Sequence, residues 1–109
     1  MIHWPRVRQL RDEVGADEFD EVVEIFLDEV QEVIARVHAD TARQDLEQNL
    51  HFLKGSALSL GFEVFSKLCQ DGERLAASGE AAKVDLSEIL AVFAASKSVF
   101  QAELKDNLH

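Results

Sequence analysis

The stretch LEQNLHFLKGSALSLG, residues 46–61, decides the fold of this chain. Its apolar residues recur every three or four positions, which is the spacing of one face of an α-helix. The members of this stripe are Leu46, Leu50, Leu53, Ala57 and Leu60. Gly61 follows the stripe directly, and glycine is common just beyond the last turn of a helix. The stretch therefore predicts a helix with one buried face that ends at Gly61.

The sequence before this helix predicts two more. Pro5 and Gly15 are typical of the first turn and the end of a short helix over about residues 4–14. A longer helix follows, in which acidic residues fill the gaps between apolar ones, and it should end near residues 40–41. Its apolar positions are Phe19, Val22, Val23, Phe26, Val30, Val33, Ile34 and Val37.

The sequence after Gly61 predicts a further pair of helices. The first should end around residues 78–79, and the second should begin near Asp85, whose side chain can cap it. Strand signals are nearly absent, because there is no tyrosine and no long apolar alternation. Four long helices with short connections favour antiparallel neighbours. We therefore predict an all-α fold: an up-down-up-down four-helix bundle with a short additional N-terminal helix, forming a single domain over residues 1–109.

Composition and charge exclude several classes of function. The chain has 109 residues and a net charge of −10, which opposes binding to nucleic acid. No apolar run is long enough to span a membrane, and the N-terminus lacks the features of a secretory signal, so we expect a cytoplasmic protein. The single cysteine, Cys69, lies among apolar residues at helical spacing and should be a buried thiol. We expect a monomer.

His51 lies where the predicted helix can carry chemistry. Each residue turns a helix by about 100°, so His51, between Leu50 and Leu53, falls at the edge of the buried stripe and should reach solvent. Lys54 and Gly55 follow three and four positions later, on the same face. A neutral imidazole can attack a phosphoryl donor, and a lysine can stabilise the charge that results. Gly55 leaves room for a close approach by a partner, although it could instead permit helix packing.

The motif His-x-Leu-Lys-Gly-Ser followed by Leu-Gly, residues 51–61, resembles the signature of histidine-containing phosphotransfer (HPt) domains. The resemblance implies a phosphoryl carrier of two-component phosphorelays, without turnover of its own, in which His51 is the phosphoacceptor. It implies that Lys54 stabilises the phosphoryl group and that Gly55 allows partner access. The implied partners are response-regulator receiver domains and a histidine kinase. No cofactor is implied on this chain, and Mg²⁺ is expected on the receiver.

The resemblance also implies supporting residues around His51. A polar side chain on the next helix often bonds the active histidine in this family, and Gln70 and Glu73 lie in the matching turn, with Glu73 in place of the usual glutamine. Docking should use an apolar patch. Phe52, Leu58 and Phe62 are the candidates, because they flank the site without all fitting the core stripe.

Three alternatives compete with this interpretation. The phosphoacceptor helix of a sensor kinase is disfavoured, because an acidic residue typically follows its histidine, whereas Phe52 follows here. A hydrolase or transferase with His51 as general base lacks a serine or cysteine nucleophile at a suitable spacing. A non-phosphorylated docking or inhibitory bundle stays open.

Overall fold

The structure is a computed structural model that describes residues 1–108. Its five helices are α1 (Trp4–Val14), α2 (Phe19–Ala39), α3 (Leu46–Leu60), α4 (Glu63–Ala77) and α5 (Leu86–Asn107), with a short 3-10 turn at Ala81–Lys83 before α5. One isolated antiparallel bridge joins Ile2 to Phe62, and this part of the chain contains no β-strand. The predicted all-α bundle with an additional N-terminal helix is confirmed.

The predicted helix boundaries have the local chemistry expected of them. Gly61 adopts the left-handed conformation, with φ of 74°, and its N–H donates back to the last turn of α3. The Asp85 carboxylate accepts a hydrogen bond of 3.0 Å from the backbone N–H of Glu88 at the start of α5. Gly15 ends α1 with φ of 91°. These residues end or begin helices because they satisfy backbone groups that the helix itself leaves unpaired.

The apolar stripes of α2–α5 meet in one core. In α2 the buried positions recur every three or four residues, as the sequence predicts. Leu27 belongs to this stripe although the sequence interpretation omitted it. The largest fully buried side chains of the core, apart from Ser96, are Phe19, Phe62, Phe65, Phe100, Leu46, Leu50, Leu53, Leu60, Val7, Val30 and Cys69. Cys69 is therefore a buried free thiol, as predicted.

The N-terminal segment closes the end of the bundle at which α3 meets α4. The Trp4 ring stacks on Phe100 with centroids 5.7 Å apart, and the His3 N–H donates a 2.7 Å hydrogen bond to the Gly61 carbonyl. A Cβ atom at Gly61 would lie 2.7 Å from the His3 carbonyl oxygen. Gly61 is thus required twice, once for its backbone conformation and once for the close approach of this segment.

Phe62 is not on the surface, and the prediction that it belongs to an exposed docking patch is wrong. The side chain is only 1% exposed and packs edge-on against Phe100, with ring centroids 5.4 Å apart. The reason is the turn at Gly61, which reverses the chain and points the next side chain into the bundle. The bridge to Ile2 then covers this position from outside.

The opposite end of the bundle is tied by Arg43, in the α2–α3 connection. Its guanidinium donates hydrogen bonds of 2.7 and 2.8 Å to the carbonyls of Ala81 and Val84. These hydrogen bonds join the α2–α3 connection to the α4–α5 connection, which lies at the same end of the bundle. None of the helices between residues 1 and 108 is both long enough and apolar enough to cross a membrane.

Candidate functional site

His51 projects from the middle of α3 into solvent. Its neighbour Leu50 and the next stripe residue Leu53 are buried, while the His51 side chain is 68% exposed. The helical turn of about 100° per residue produces this contrast, because two buried residues fix the rotation of α3 and leave position 51 outside the core. The prediction that the imidazole reaches solvent is confirmed.

Glu73 on α4 contacts the imidazole from the side. Its Oε2 atom lies 2.8 Å from Nδ1 of His51. A carboxylate can only accept a hydrogen bond, so Nδ1 is the donor and carries a proton. In the neutral imidazole the second nitrogen, Nε2, is then the one with a free lone pair. The contact therefore fixes both the ring orientation and the tautomer.

Lys54 completes a three-residue network. Its Nζ atom lies 2.9 Å from Oε1 of Glu73, so the two oxygens of one carboxylate hold the lysine and the histidine separately. The pKa of Glu73 is lowered, first by the hydrogen bond from Lys54 and also by the one from His51, against the opposing effect of partial burial. Glu73 is consequently ionised at neutral pH.

Gly72, next to Glu73, lies where α4 packs closely against α3. A Cβ atom at this buried glycine would lie 2.8 Å from Cδ1 of Leu50, whose side chain packs against the α4 backbone. Leu50 and Gly72 are the sequence neighbours of His51 and Glu73. The close approach of the two helices therefore occurs at the level of the histidine–carboxylate contact. Sequence reasoning missed this role, although a glycine inside a predicted helix was a signal for it.

Gly55 lies one turn after His51 on the exposed side of α3. A Cβ atom placed there would meet nothing within 4 Å. The alternative that this glycine permits helix packing is therefore not supported within the described chain. Glycine in an exposed helix costs up to about 1 kcal/mol relative to alanine. The fold of residues 1–108 gives no compensation for that cost.

An apolar surface surrounds the histidine, and we call it the His51 face: His51, Phe52, Gly55 and Leu58 on α3 with Ile25, Phe26 and Glu29 on α2. Phe52 is 40% and Leu58 58% exposed, in agreement with their predicted surface position. Ile25 is 50% exposed and was not predicted, although it is a large apolar residue outside the α2 stripe. A shallow depression on this face is lined by Phe26, Glu29, His51, Phe52, Gly55, Ser56 and Ser59.

The remaining predicted site residues take lesser positions. Gln70, one turn before Glu73, is partly buried, and the hydrogen bond to His51 comes from Glu73 instead. The other histidines are not predicted site residues: we expect each to be an ordinary surface histidine, His3 and His38 are exposed, and His109 lies outside the described residues. Residues 1–108 contain no cluster of three histidine, cysteine or acidic side chains that could hold a metal ion.

Comparison with known proteins identifies the family. The family model described as the Hpt domain matches residues 21–108, which covers α2 to α5 and leaves α1 outside. No curated protein and no solved structure gives a significant match. The matched range contains the network of His51, Lys54 and Glu73.

Proposed function

The chain belongs to the Hpt domain family, and from that membership we propose that it relays a phosphoryl group in two-component signalling through phosphohistidine at His51. The observation that carries the proposal is the 2.8 Å contact between Glu73 and Nδ1 of His51. In the neutral imidazole this contact leaves the free lone pair on Nε2 of an exposed side chain, which is what a nucleophile needs. No separate general base is required, because the attacking nitrogen carries no proton.

The transfer step can be written with this chain's own atoms. The Nε2 lone pair of His51 attacks the phosphorus of an aspartyl phosphate on a receiver domain. The new N–P bond forms as the bond from phosphorus to the aspartate oxygen breaks, and that electron pair returns to the aspartate carboxylate. The Nδ1 proton stays on the imidazole and remains bonded to Glu73, which stabilises the positive charge that develops on the ring. The reverse step returns the group to another receiver.

Glu73 and Lys54 would together set how strongly the phosphoryl group is held on His51. Before transfer, Lys54 is paired with the Glu73 carboxylate. After transfer, the phosphoryl oxygens compete for the same ammonium group, because it is the cation nearest to the network. Lys54 would then stabilise the phosphoryl group, while the Glu73 charge limits how strongly it is held. Moderate stabilisation of the phosphoryl group suits a carrier that must transfer it to a second protein.

Gly55 and the apolar part of the His51 face would receive the partner. Exposed Phe52 and Leu58 offer the apolar surface, and the open space above Gly55 admits the partner backbone close to His51. We expect receiver domains and a histidine kinase as partners, with Mg²⁺ on the receiver and no cofactor on this chain. We also expect a cytoplasmic monomer that has no turnover in isolation.

The test is phosphoryl transfer from phosphorylated receivers and histidine kinases of the same genome. The acceptors are the wild-type chain, His51→Gln, and His38→Gln as the matched control at an exposed histidine outside the His51 face. Acid-labile label on wild type and His38→Gln, but not on His51→Gln, is the expected result. Label on all three proteins would mean that a residue other than His51 accepts the phosphoryl group. If no donor labels any of the three proteins, the proposal of a phosphorelay is wrong, and a bundle that only docks to or inhibits a partner becomes the preferred hypothesis.

A further inference from the structure

The acidic edge of α2 points to the kind of receiver that this chain accepts. We propose that the cognate receiver presents lysine and arginine side chains that lie against the α2 side of the His51 face. This inference rests on the proposed phosphotransfer function and deepens it, because it assigns a charge to the partner's docking surface.

The charge of α2 is large and is not neutralised within the chain. The helix has one arginine, Arg36, against six acidic residues: Asp20, Glu21, Glu24, Asp28, Glu29 and Glu32. It therefore carries half of the net charge of −10. All six acidic side chains are exposed, and none forms an ion pair within residues 1–108. On the other helices, Glu13, Asp71 and Glu73 are paired with lysine or arginine, while Asp12, Glu47, Glu88, Glu103 and Asp106 are unpaired in the part of the chain that the structure describes and are spread over three helices.

Part of this charge borders the apolar surface around the histidine. Glu29 lines the same depression as His51, Phe52 and Gly55. Ile25, which is half exposed, lies one turn before Glu29, and Glu32 lies three residues after it, so all three share one edge of α2. This edge is continuous with the surface proposed for docking. A partner that covers Phe52 and the depression beside it therefore also meets Glu29, and Glu32 lies less than one helical turn further along the same edge.

The chain supplies little positive charge to offset this edge at the site. Lys54 lies on the α4 side of α3, where Glu73 holds it. An approaching receiver with an acidic surface would meet unpaired carboxylates, and like charges brought together at an interface are repelled. A receiver with a basic surface would instead be attracted before contact, which raises the association rate at low salt. The acidic edge thus discriminates between receivers by the charge of their docking surfaces, whereas the apolar patch does not.

The experiment measures the second-order rate constant for transfer from a panel of phosphorylated receiver domains to this chain at several salt concentrations. The variant is Glu29→Gln with Glu32→Gln. The matched control is Glu88→Gln with Glu103→Gln, which removes the same charge from two exposed positions on α5. We expect the fastest receivers to be those with a basic docking surface. The variant should slow their transfer by roughly three- to tenfold at low salt and flatten the salt dependence, while the control changes little.

Each outcome bears on a different proposal. Transfer that is equally fast to the variant and to the control overturns the acidic-edge inference and leaves the relay function intact. The same holds if receivers with acidic docking surfaces are the fastest donors. Failure of every receiver and kinase to label wild type removes the relay function itself, and the inference falls with it.

Discussion

The Oε2 atom of Glu73 lies 2.8 Å from Nδ1 of His51, although the two residues are 22 positions apart in the sequence. The contact joins the surface of α3 to that of α4 and includes Lys54 through the second carboxylate oxygen. The geometry therefore links the protonation state of one partly buried acid to the reactivity of an exposed histidine. This pairing has consequences for stability as well as for transfer.

The first prediction concerns the pH dependence of folding. Ion pairing with Lys54 and the bond from His51 hold the pKa of Glu73 below its ordinary value of 4.5. A carboxyl with a lowered pKa stabilises the fold at pH above its unfolded value and loses that effect as pH falls through the folded value. Glu73→Gln should therefore cost about 1 kcal/mol at pH 7 and less at pH 3.

Urea unfolding of wild type and Glu73→Gln across this pH range measures the difference directly. Glu80→Gln is the control, because the Glu80–Lys83 pair is exposed on the surface and should contribute little at either pH. A stability difference for Glu73→Gln that stays constant from pH 7 to pH 3 would contradict the ionised network.

Gly55→Ala should separate stability from transfer. The added methyl group meets no atom of the chain and alanine favours the helix, so the free energy of unfolding should rise by about 0.5–1 kcal/mol. Transfer from a receiver should nevertheless slow, because the methyl group lies on the docking surface. Ala91→Gly, at an exposed position on α5, is the reverse control: it should lose stability and keep its transfer rate. Unchanged transfer to Gly55→Ala would remove Gly55 from the interface.

Gly61→Ala should be costly because two effects combine. Both Gly61 and Gly79 have positive φ, with values of 74° and 81°, where alanine costs roughly 1–2 kcal/mol. Only at Gly61 does a Cβ atom also lie 2.7 Å from a backbone oxygen, that of His3. Thermal or urea unfolding should therefore show Gly61→Ala to be less stable than Gly79→Ala, whose added Cβ meets nothing within 4 Å, by about 1 kcal/mol or more. Equal losses for the two variants would mean that the N-terminal segment does not pack against this turn in solution.

Cys69 should be inert in the native state. Burial, followed by the nearby charge of Glu73, raises the pKa of its thiol to about 12, and the side chain has no exposed surface. Because the thiolate is the reactive form, a thiol-reactive dye should label the protein only after denaturation in urea. Labelling of the folded protein at the rate of the unfolded one would show that the core opens at α4.

Most of the fold could be predicted from the sequence because its signals are local. The spacing of Leu46, Leu50 and Leu53 fixes one face of α3, and Gly61 ends the helix through its own backbone conformation. Residues in the middle of a helical face follow such periodicity closely. Phe62 does not, since it lies in a two-residue connection where the direction of the side chain depends on how the chain turns.

In the candidate site, too, the sequence predicted the features that depend on one helix and missed those that depend on how two helices pack. Periodicity alone indicated that His51 is exposed, and the neighbouring Lys54 and Gly55 indicated the chemistry. The choice between Gln70 and Glu73 stayed open, because it depends on the offset between α3 and α4. Ile25 and Glu29 were missed as parts of the His51 face, because their proximity to α3 is a property of helix packing and not of either helix by itself.

The sequence by itself determined the helices, the core and the exposed histidine, because each depends on residues within a few turns of one another. Only the tertiary structure decided which carboxylate bonds to the imidazole and which acidic edge borders it. Those contacts depend on the separation and sliding of neighbouring helices, which pack closely where Leu50 meets Gly72, at the level of His51. A hydrogen bond requires a donor–acceptor distance within a few tenths of an ångström. The periodicity within one helix does not determine the distance between atoms on two different helices to that precision.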